Sequence, residues 1–426
     1  MASNVLVIGN GGREHAFVWK LAQSPRIGKL YVAPGNGGTR NIAENIAIEA
    51  TDAKHLARFA KENSIDLTIV GPDDSLARGV VDVFQSRSLR IFGPTRSASQ
   101  IETSKAFAKR LMRDNGIATA SFRIFRKHKN ALAYVRQHGA PIVVKANGLA
   151  LGKGAYPCKK LTKAEKALSE IMLERTYKQA GNEVIIEEFL DGQEVSIHAL
   201  CDGKTAIMLP TSQDHKARFD GDKGKNTGGM GTIAPIPWIT DQTLREVNEQ
   251  IIQPTLQALA KKGRTFTGCL YPGLKMTDEG PKILEFNARF GDPETQSYMR
   301  LLKTDLLDVL DACVDSKLAK LTVEWHSGFA VCVILASGGY PGKYKKGVPI
   351  FGTNEAEKIP GVVVFHAGTI FNDQLRTSGG RVLGVTATGD TLQQALNRAY
   401  KAIRCIKFKG MRFRKDIGAK AIAREF

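Results

Sequence analysis

Six cysteines in 426 residues, at 158, 201, 269, 313, 332 and 405, include no C-x-x-C pair. Their scatter speaks against a zinc site or a disulfide framework and for small buried thiols in a reducing compartment. Long apolar runs are also missing. None approaches the ~18 residues that cross a bilayer, so no membrane partner is expected. The N-terminus, MASNVLVIGNGG, has neither the basic flank nor the small-residue cleavage site of a secretory signal. A cytoplasmic protein is the expectation. Acidic residues are few beside basic ones, 42 against 61, which gives a formal net charge of +19. Such an excess attracts anions, whether nucleic acid or small phosphorylated molecules. Aromatics make up only 7% and do not alternate with basic residues, as a base-stacking platform would require. Composition by itself leaves that choice open.

Core material is ample, with 42% hydrophobic residues, and the length predicts two to four domains. VLVI at 5–8 reads as a buried strand, followed by GNGGREHA and a helical run to about residue 23. KLYVAPGNGG, DLTIVGPDD and LRIFGPT repeat the theme, separated by helical stretches such as DAKHLARFAKENS. This alternation predicts a parallel doubly wound sheet with ligand loops at the strand C-termini. A nicotinamide fingerprint fails twice. Glu14 stands where the third glycine belongs, and the second strand ends Val32-Ala33-Pro34 without a carboxylate. What remains is a glycine-rich turn with Arg13 beside it, suited to a single phosphate.

After residue 103 the pattern changes. SKAFAKRLMRDNG is a basic amphipathic helix, and PIVVKA is a strand leading into a loop with Gly148, Gly152, Lys153 and Gly154. Walker A spacing would need one more residue and a hydroxyl in place of Gly154, so this is a different phosphate loop. DHKARFDGDKGKNTGGMG, residues 214–231, holds five glycines and too little apolar surface for a buried strand or core helix. A long loop is expected there. In PKILEFNARFGDPETQ the period of two places Ile283, Glu285, Asn287 and Arg289 on one face, with Leu284, Phe286 and Ala288 behind. Oxygen donors from Glu285 and Asn287 suit magnesium, and Arg289 suits a phosphoryl group or a carboxylate. From about 327 two further β-rich units lead to a helix and the basic tail RKDIGAKAIAREF.

GNGGREHA, APGNGGT, FGPT, EEFLDGQEVS, SQDHKARFDGDKGKNTGGMG, LEFNARFGDPETQ and RKDIG occur in the order that the phosphoribosylamine–glycine ligase family shows. The chain resembles that family, within the ATP-grasp superfamily, from end to end. The resemblance implies an α/β ATP-grasp fold: an N-terminal doubly wound parallel-sheet domain (1–103), a central core (104–122 and 189–326), a small α+β lid (123–188) and a C-terminal β-rich domain (327–426). It implies ATP-dependent ligation of glycine to 5-phosphoribosylamine through a glycyl phosphate, with magnesium or manganese, by a monomer without a nucleic-acid partner. Lys105, Lys145 and Lys153, with Gly152 and Gly154, would contact the nucleotide phosphates. Glu187, Glu188, Phe189 and Leu190 would form the adenine hinge, and Glu194 would meet the ribose. Glu285 and Asn287 would hold the metal, with Arg289 on the transferred phosphoryl. Gly11, Gly12 and Arg13, with the turn Gly71, Pro72 and Asp73, would cradle the ribosyl phosphate. Residues 214–231 would be the substrate loop, where Asp214, Lys216 and Asn226 act and Gly228 and Gly229 permit close approach, next to Asp292 and Pro293. Two rivals stay in view. A biotin carboxylase-like or aminoimidazole-ribonucleotide-carboxylating ATP-grasp enzyme would share EFNAR but needs no QDHK…NTGGMG. A basic nucleic-acid-binding protein on this fold rests on the charge alone.

Overall fold

The computed structural model describes residues 2–149 and 154–423. Five parallel strands open the chain: β1 (Ser3–Gly9), β2 (Ile27–Pro34), β3 (Glu44–Asn45), β4 (Leu67–Val70) and β5 (Ile91–Phe92), in the order β3-β2-β1-β4-β5. The continuous apolar run of β1 has a direct cause. Val5 and Val7 join one hydrophobic cluster, while Leu6 and Ile8 join another on the opposite face. Both faces are covered, so no position can be polar. The turns at 9–12 and 71–73 leave the C-terminal ends of β1 and β4 side by side.

Next comes an antiparallel sheet of β6 (Phe122–Phe125), β7 (Ile142–Ala146), β8 (Ala155–Cys158) and β9 (Val184–Glu188), ordered β6-β9-β7-β8. The helices His128–His138 and Leu161–Leu168 pack on it around a core of its own that includes Val135, Val144, Leu168 and Ile186. Gly152 and Lys153 lie outside the described residues; Gly154, just before β8, is buried.

A second antiparallel sheet is built from β10 (Gln193–Ser196), β11 (Ala199–Asp202), β12 (Ala206–Met208), β17 (Thr267–Thr277) and β18 (Gly280–Asn287). Here the simple alternation predicted for residues 283–289 fails. Gly273 pairs with Glu285, but its neighbour Leu274 pairs with Ile283, so Leu284 is an extra residue in β18. This bulge turns Ile283 to the other face. Ile283 is fully buried in the same cluster as Phe286 and Ala288, and Leu284 is left facing the cleft beside Glu285. Glu285, Asn287 and Arg289 do share that cleft, as expected.

The last sheet runs β13-β16-β19-β23-β20, with β13 (Gln213–Asp214), β16 (Gly231–Ala234), β19 (Phe329–Ala336), β20 (Val362–His366) and β23 (Arg381–Gly389). Two strands from the middle of the chain thus hydrogen-bond into the sheet of its closing third. Between them, residues 214–231 are not one long loop. They hold a hairpin, β14 (Ala217–Phe219) with β15 (Lys223–Asn226), exposed along KGKN and turned at Asp220–Asp222, where Gly221 takes φ 66. Backbone pairing needs no buried face, and the Asp-Gly step supplies the left-handed residue that the turn requires. A second small hairpin, β21 (Thr369–Phe371) with β22 (Leu375–Thr377), leans toward the first sheet, and the Gly37 N–H donates to the Thr369 carbonyl (3.1 Å).

Candidate active site

Three cavities run into one another between these sheets. The first, about 180 Å³, is lined by Lys105, Lys145, Gly154, Glu187, Glu188, Phe189, Leu190, Glu194, Asn226 and Leu284, among others. It shares Lys105, Lys216 and Glu285 with a central cavity of about 380 Å³. The central one shares Asp292 and Arg381 with a third, of about 670 Å³, below the loops of the first sheet.

In the first cavity apolar side chains of Val143, Phe189, Leu190 and Leu284 face a cluster of charges. Lys145 Nζ donates to Glu187 Oε2 (2.8 Å) and to the Leu284 carbonyl (2.8 Å), and Lys109 Nζ reaches the same carboxylate oxygen at 3.1 Å. Burial pushes the Lys109 ammonium down to about 8, against the pull of Glu187. In the sequence Lys109 looks like one more charge on the amphipathic helix Lys105–Asp114, and nothing marks it. Glu187 Oε1 is buried without a partner, an acceptor left available at the cavity edge. Lys105 Nζ donates to the Gly148 carbonyl at 3.0 Å, tying the core to the loop after β7.

In the centre, Arg289 is held by groups of the protein itself. Its Nη2 donates to Asn287 Oδ1 (3.2 Å) and lies 3.2 Å from Glu102 Oε1, and Nη1 donates to the Phe290 carbonyl (3.1 Å). Glu102 Oε2 in turn accepts the Ala288 N–H at 2.8 Å. Burial works against the Arg289 charge, yet Glu102, Asp73 and Glu294 hold its pKa above the usual guanidinium value. Burial would likewise raise the Glu285 carboxyl; Lys105, Lys216, Lys145 and Arg289 together hold it below the ordinary range, so it stays ionised. Opposite lies Asp214, whose Oδ2 accepts from Lys216 Nζ at 3.1 Å while Oδ1 is buried and unpaired. Burial pushes the Asp214 carboxyl up to about 7, with Lys216 pulling the other way. Burial also disfavours the Lys216 cation, but Tyr271, Asp214, Glu294 and Glu285 hold its pKa well above the ordinary value. Tyr271 donates its hydroxyl to Glu294 Oε1 (2.8 Å) over the stacked ring of His198 (3.9 Å between centroids).

At the far end the glycine-rich turns wrap a side chain rather than leave a hole. A Cβ on Gly9, Gly11 or Gly71 would strike the buried Glu14, at 2.6, 2.7 and 1.8 Å. Glu14 accepts the Gly11 N–H (2.6 Å) and Arg13 Nε (2.6 Å), and Arg13 Nη1 donates to the Phe290 carbonyl (3.1 Å). The residue that broke the dinucleotide pattern therefore organises both turns. Gly12 is closed off by Gln296, 2.5 Å from where its Cβ would be. Gly12, Gly71, Pro72, Gly229 and Pro293 line none of the three cavities; they shape the turns behind them. Gly11, Arg13, Asp73, Gly228 and Asp292 do face the cleft. Arg381, which no motif marked, joins the Gly228 carbonyl (2.6 Å) to the Asp292 carbonyl (2.5 Å) and carboxylate (3.0 Å). The only signal in the sequence is the glycine pair just before it, after which Arg381 opens β23.

A magnesium ion fits the donors present. Among the described residues no group of three His, Cys, Asp or Glu could hold a metal unaided. Glu285 and Asn287 offer two oxygens on one strand face, and an ion held there takes its remaining ligands from phosphates and water.

Comparison with known proteins places the chain in a family. Three family profiles cover most of the chain: the N domain of phosphoribosylglycinamide synthetase over residues 3–102, its ATP-grasp (A) domain over 103–295 and its C domain over 330–420. Phosphoribosylamine–glycine ligase of Caldanaerobacter subterraneus is 47% identical over 97% of this chain and 99% of the relative. The Escherichia coli protein of that name is 48% identical over 99% of both chains. The crystal structure of the Thermotoga maritima ligase superposes with a TM-score of 0.85 at 32% identity, over 97% of this chain and 100% of that one. A biotin carboxylase domain of Hydrogenobacter thermophilus, in complex with MgADP and bicarbonate, has a TM-score of 0.73 at 14% identity over 97% of this chain and 92% of that one, which shows the fold alone.

Proposed function

This chain belongs to the phosphoribosylglycinamide synthetase family, and we propose that its three linked cavities hold, in order, the nucleotide, the reacting carboxylate and the phosphoribosyl group. It is a phosphoribosylamine–glycine ligase: it joins glycine to 5-phosphoribosylamine with conversion of ATP to ADP, a step of purine biosynthesis. The observation that carries the assignment of residues is the shared lining. Lys105, Lys216 and Glu285 belong to both the first and the central cavity, so a phosphoryl group bound in one is within reach of an acceptor in the other.

Adenine sits among Val143, Phe189, Leu190 and Leu284, with the ribose toward Glu194. The phosphates lie along Lys105, Lys145 and the loop at Gly154, and Lys153 belongs to the same phosphate reading. Glu285 and Asn287 hold magnesium or manganese, which when bound neutralises phosphate charge. Glycine presents its carboxylate to the phosphoryl donor beside Arg289, whose planar fork is aimed where charge builds up during transfer. The product is a glycyl phosphate. The amine of phosphoribosylamine then attacks its carbonyl carbon, and phosphate leaves. Asp214, a carboxylate with a pKa near the working pH and an unpaired Oδ1, takes the proton that the amine loses. Lys216 and Asn226 face the nucleotide and screen the leaving phosphate. The ribosyl phosphate reaches toward Gly11, Asp73 and Arg13, and into the third cavity, where Asn36, Arg40, Thr369 and Ser378 add donors not foreseen from sequence.

The same proposal takes the protein to be a cytoplasmic monomer with small-molecule substrates and no nucleic-acid partner. All six cysteines are free and five are buried, which suits a reducing compartment. No described helix is long and apolar enough to cross a membrane. ADP release measured with glycine or phosphoribosylamine left out in turn tests the assignment. Release should need glycine and rise on adding the amine; release indifferent to both would refute it.

A further inference from the structure

The motif RKDIG, residues 414–418, touches no substrate cavity, yet its polar groups converge on the hairpin that carries Lys216 and Asn226. Arg414 is 1% exposed. Its Nη1 donates to the Ala217 carbonyl (3.2 Å) and to Asp222 Oδ1 (2.8 Å), and its Nε and Nη2 grip Asp416 Oδ1 and Oδ2 (both 2.7 Å). Asp416 Oδ2 also accepts the Gly221 N–H (2.8 Å), and the Lys415 N–H donates to Asp220 Oδ1 (2.8 Å). Lys420 pairs with Asp222 at the same turn. On the other side of Lys216, His215 Nε2 accepts the Gly418 N–H (3.1 Å), which leaves Nδ1–H to donate to the Gly231 carbonyl (3.1 Å).

Both chain neighbours of Lys216 are therefore tied to one short C-terminal segment, His215 to Gly418 and Ala217 to Arg414. At its base the hairpin is closed by Thr227, whose N–H and hydroxyl donate to the Lys216 carbonyl (2.8 and 2.9 Å). Beyond that β15 is exposed along its length, and in β14 only Ala217 is buried, with Arg218 half-buried and Phe219 exposed. A buried guanidinium is costly unless every donor is used, and apolar residues fill such space with less penalty. Its use here is geometric. We propose that Arg414, with Asp416, is a positioning residue for ligation: it clamps the β14–β15 hairpin so that Lys216 and Asn226 face the nucleotide and central cavities.

This rests on the reading of Lys216 as a cation of the reaction cleft, so the test separates the two. Steady-state kinetics would compare Lys216→Met, Arg414→Gln and the double variant. Misplacing a reacting group by about an ångström costs ~100-fold in rate, so kcat should fall by that order in Arg414→Gln. The double variant should lose little more than Lys216→Met alone, because both substitutions remove one contribution. Unchanged kcat in Arg414→Gln, or losses that multiply, would overturn the clamp. Should Arg414→Gln not fold, Asp416→Asn breaks the grip and weakens the tie to Gly221 and stands in for it. Hydrogen exchange across 217–226 judges the clamp apart from activity: it should quicken in either clamp variant while the β19 and β23 amides keep their protection. Wild-type exchange in the hairpin would overturn the proposal. A silent Lys216→Met would instead sink the cleft reading and leave the exchange result to decide.

Discussion

Arg289 enters the cleft with three fixed acceptors around its guanidinium: Glu102, Asn287 and the Phe290 carbonyl. A planar fork held this way loses little freedom when it meets a transferring phosphoryl group, and lysine cannot reproduce it. Arg289→Lys should lower turnover by about two orders of magnitude, the usual scale for one transition-state donor, with the KM for ATP little changed. Steady-state assays separate the cases; a loss confined to the KM would make Arg289 a ground-state nucleotide ligand. Asp214 gives a pH-dependent expectation. Its folded pKa, about 7, lies above the ordinary 3.8, so the folded state prefers the protonated form. The stability it contributes is full below about pH 4 and is lost as pH rises through 7. Asp214→Asn should therefore melt higher relative to wild type at pH 8 than at pH 5, while losing most ligase activity. In wild type the acid limb of kcat/KM should lie near pH 7. A melting difference that does not move with pH would deny Asp214 its raised pKa.

Two elements differ from what local pattern predicts, and both lie at the cleft. The bulge at Leu284 moves one apolar side chain into the first cavity and sends Ile283 to the core. The 217–226 hairpin hydrogen-bonds across its own strands and is anchored from residues 414–418, almost 200 positions away. A period-of-two argument has no term for an inserted residue, and composition has none for a distant anchor. The β6–β9 sheet raises a further expectation. Its core is separate from the others, and its ties to the rest include Lys145 to the Leu284 carbonyl and Lys105 to the Gly148 carbonyl. Such a unit moves as a body when few contacts cross its border. A non-hydrolysable ATP analogue with magnesium should slow hydrogen exchange in β7 and β9, and Lys105→Met should weaken that protection. Equal exchange with and without nucleotide would mean that the unit is already closed.

Across the whole molecule, the cleft takes side chains from all four sheets or the segments beside them: Asp73, Lys145, Glu285 and Arg381 each come from a different one. The chain carries a formal net charge of +19, and the ligands proposed for the cleft are anions. A positive field raises encounter rates with anionic ligands and is screened beyond a Debye length of about 8 Å at physiological salt. Raising ionic strength should thus lower kcat/KM for ATP and phosphoribosylamine and leave kcat nearly constant. A salt-independent kcat/KM would assign the charge no part in capture.

By itself the sequence determined the strands whose both faces are covered, because a run such as Val5–Ile8 has no other stable place. It also placed Glu285 and Asn287 together, since alternate positions of one strand stay within a few ångströms in any fold that keeps the strand, with Arg289 two residues past the strand's end. Glu14 was visible as a departure from a pattern, but not as the group that three glycines enclose. Tertiary structure alone decided that Glu102 holds Arg289, that Lys109 shares Glu187 with Lys145, that Arg381 bridges Gly228 and Asp292, and that Arg414 reaches Ala217. Each of these contacts joins residues far apart in the chain, where only the packing of whole sheets sets the distance and where no local spacing carries the information.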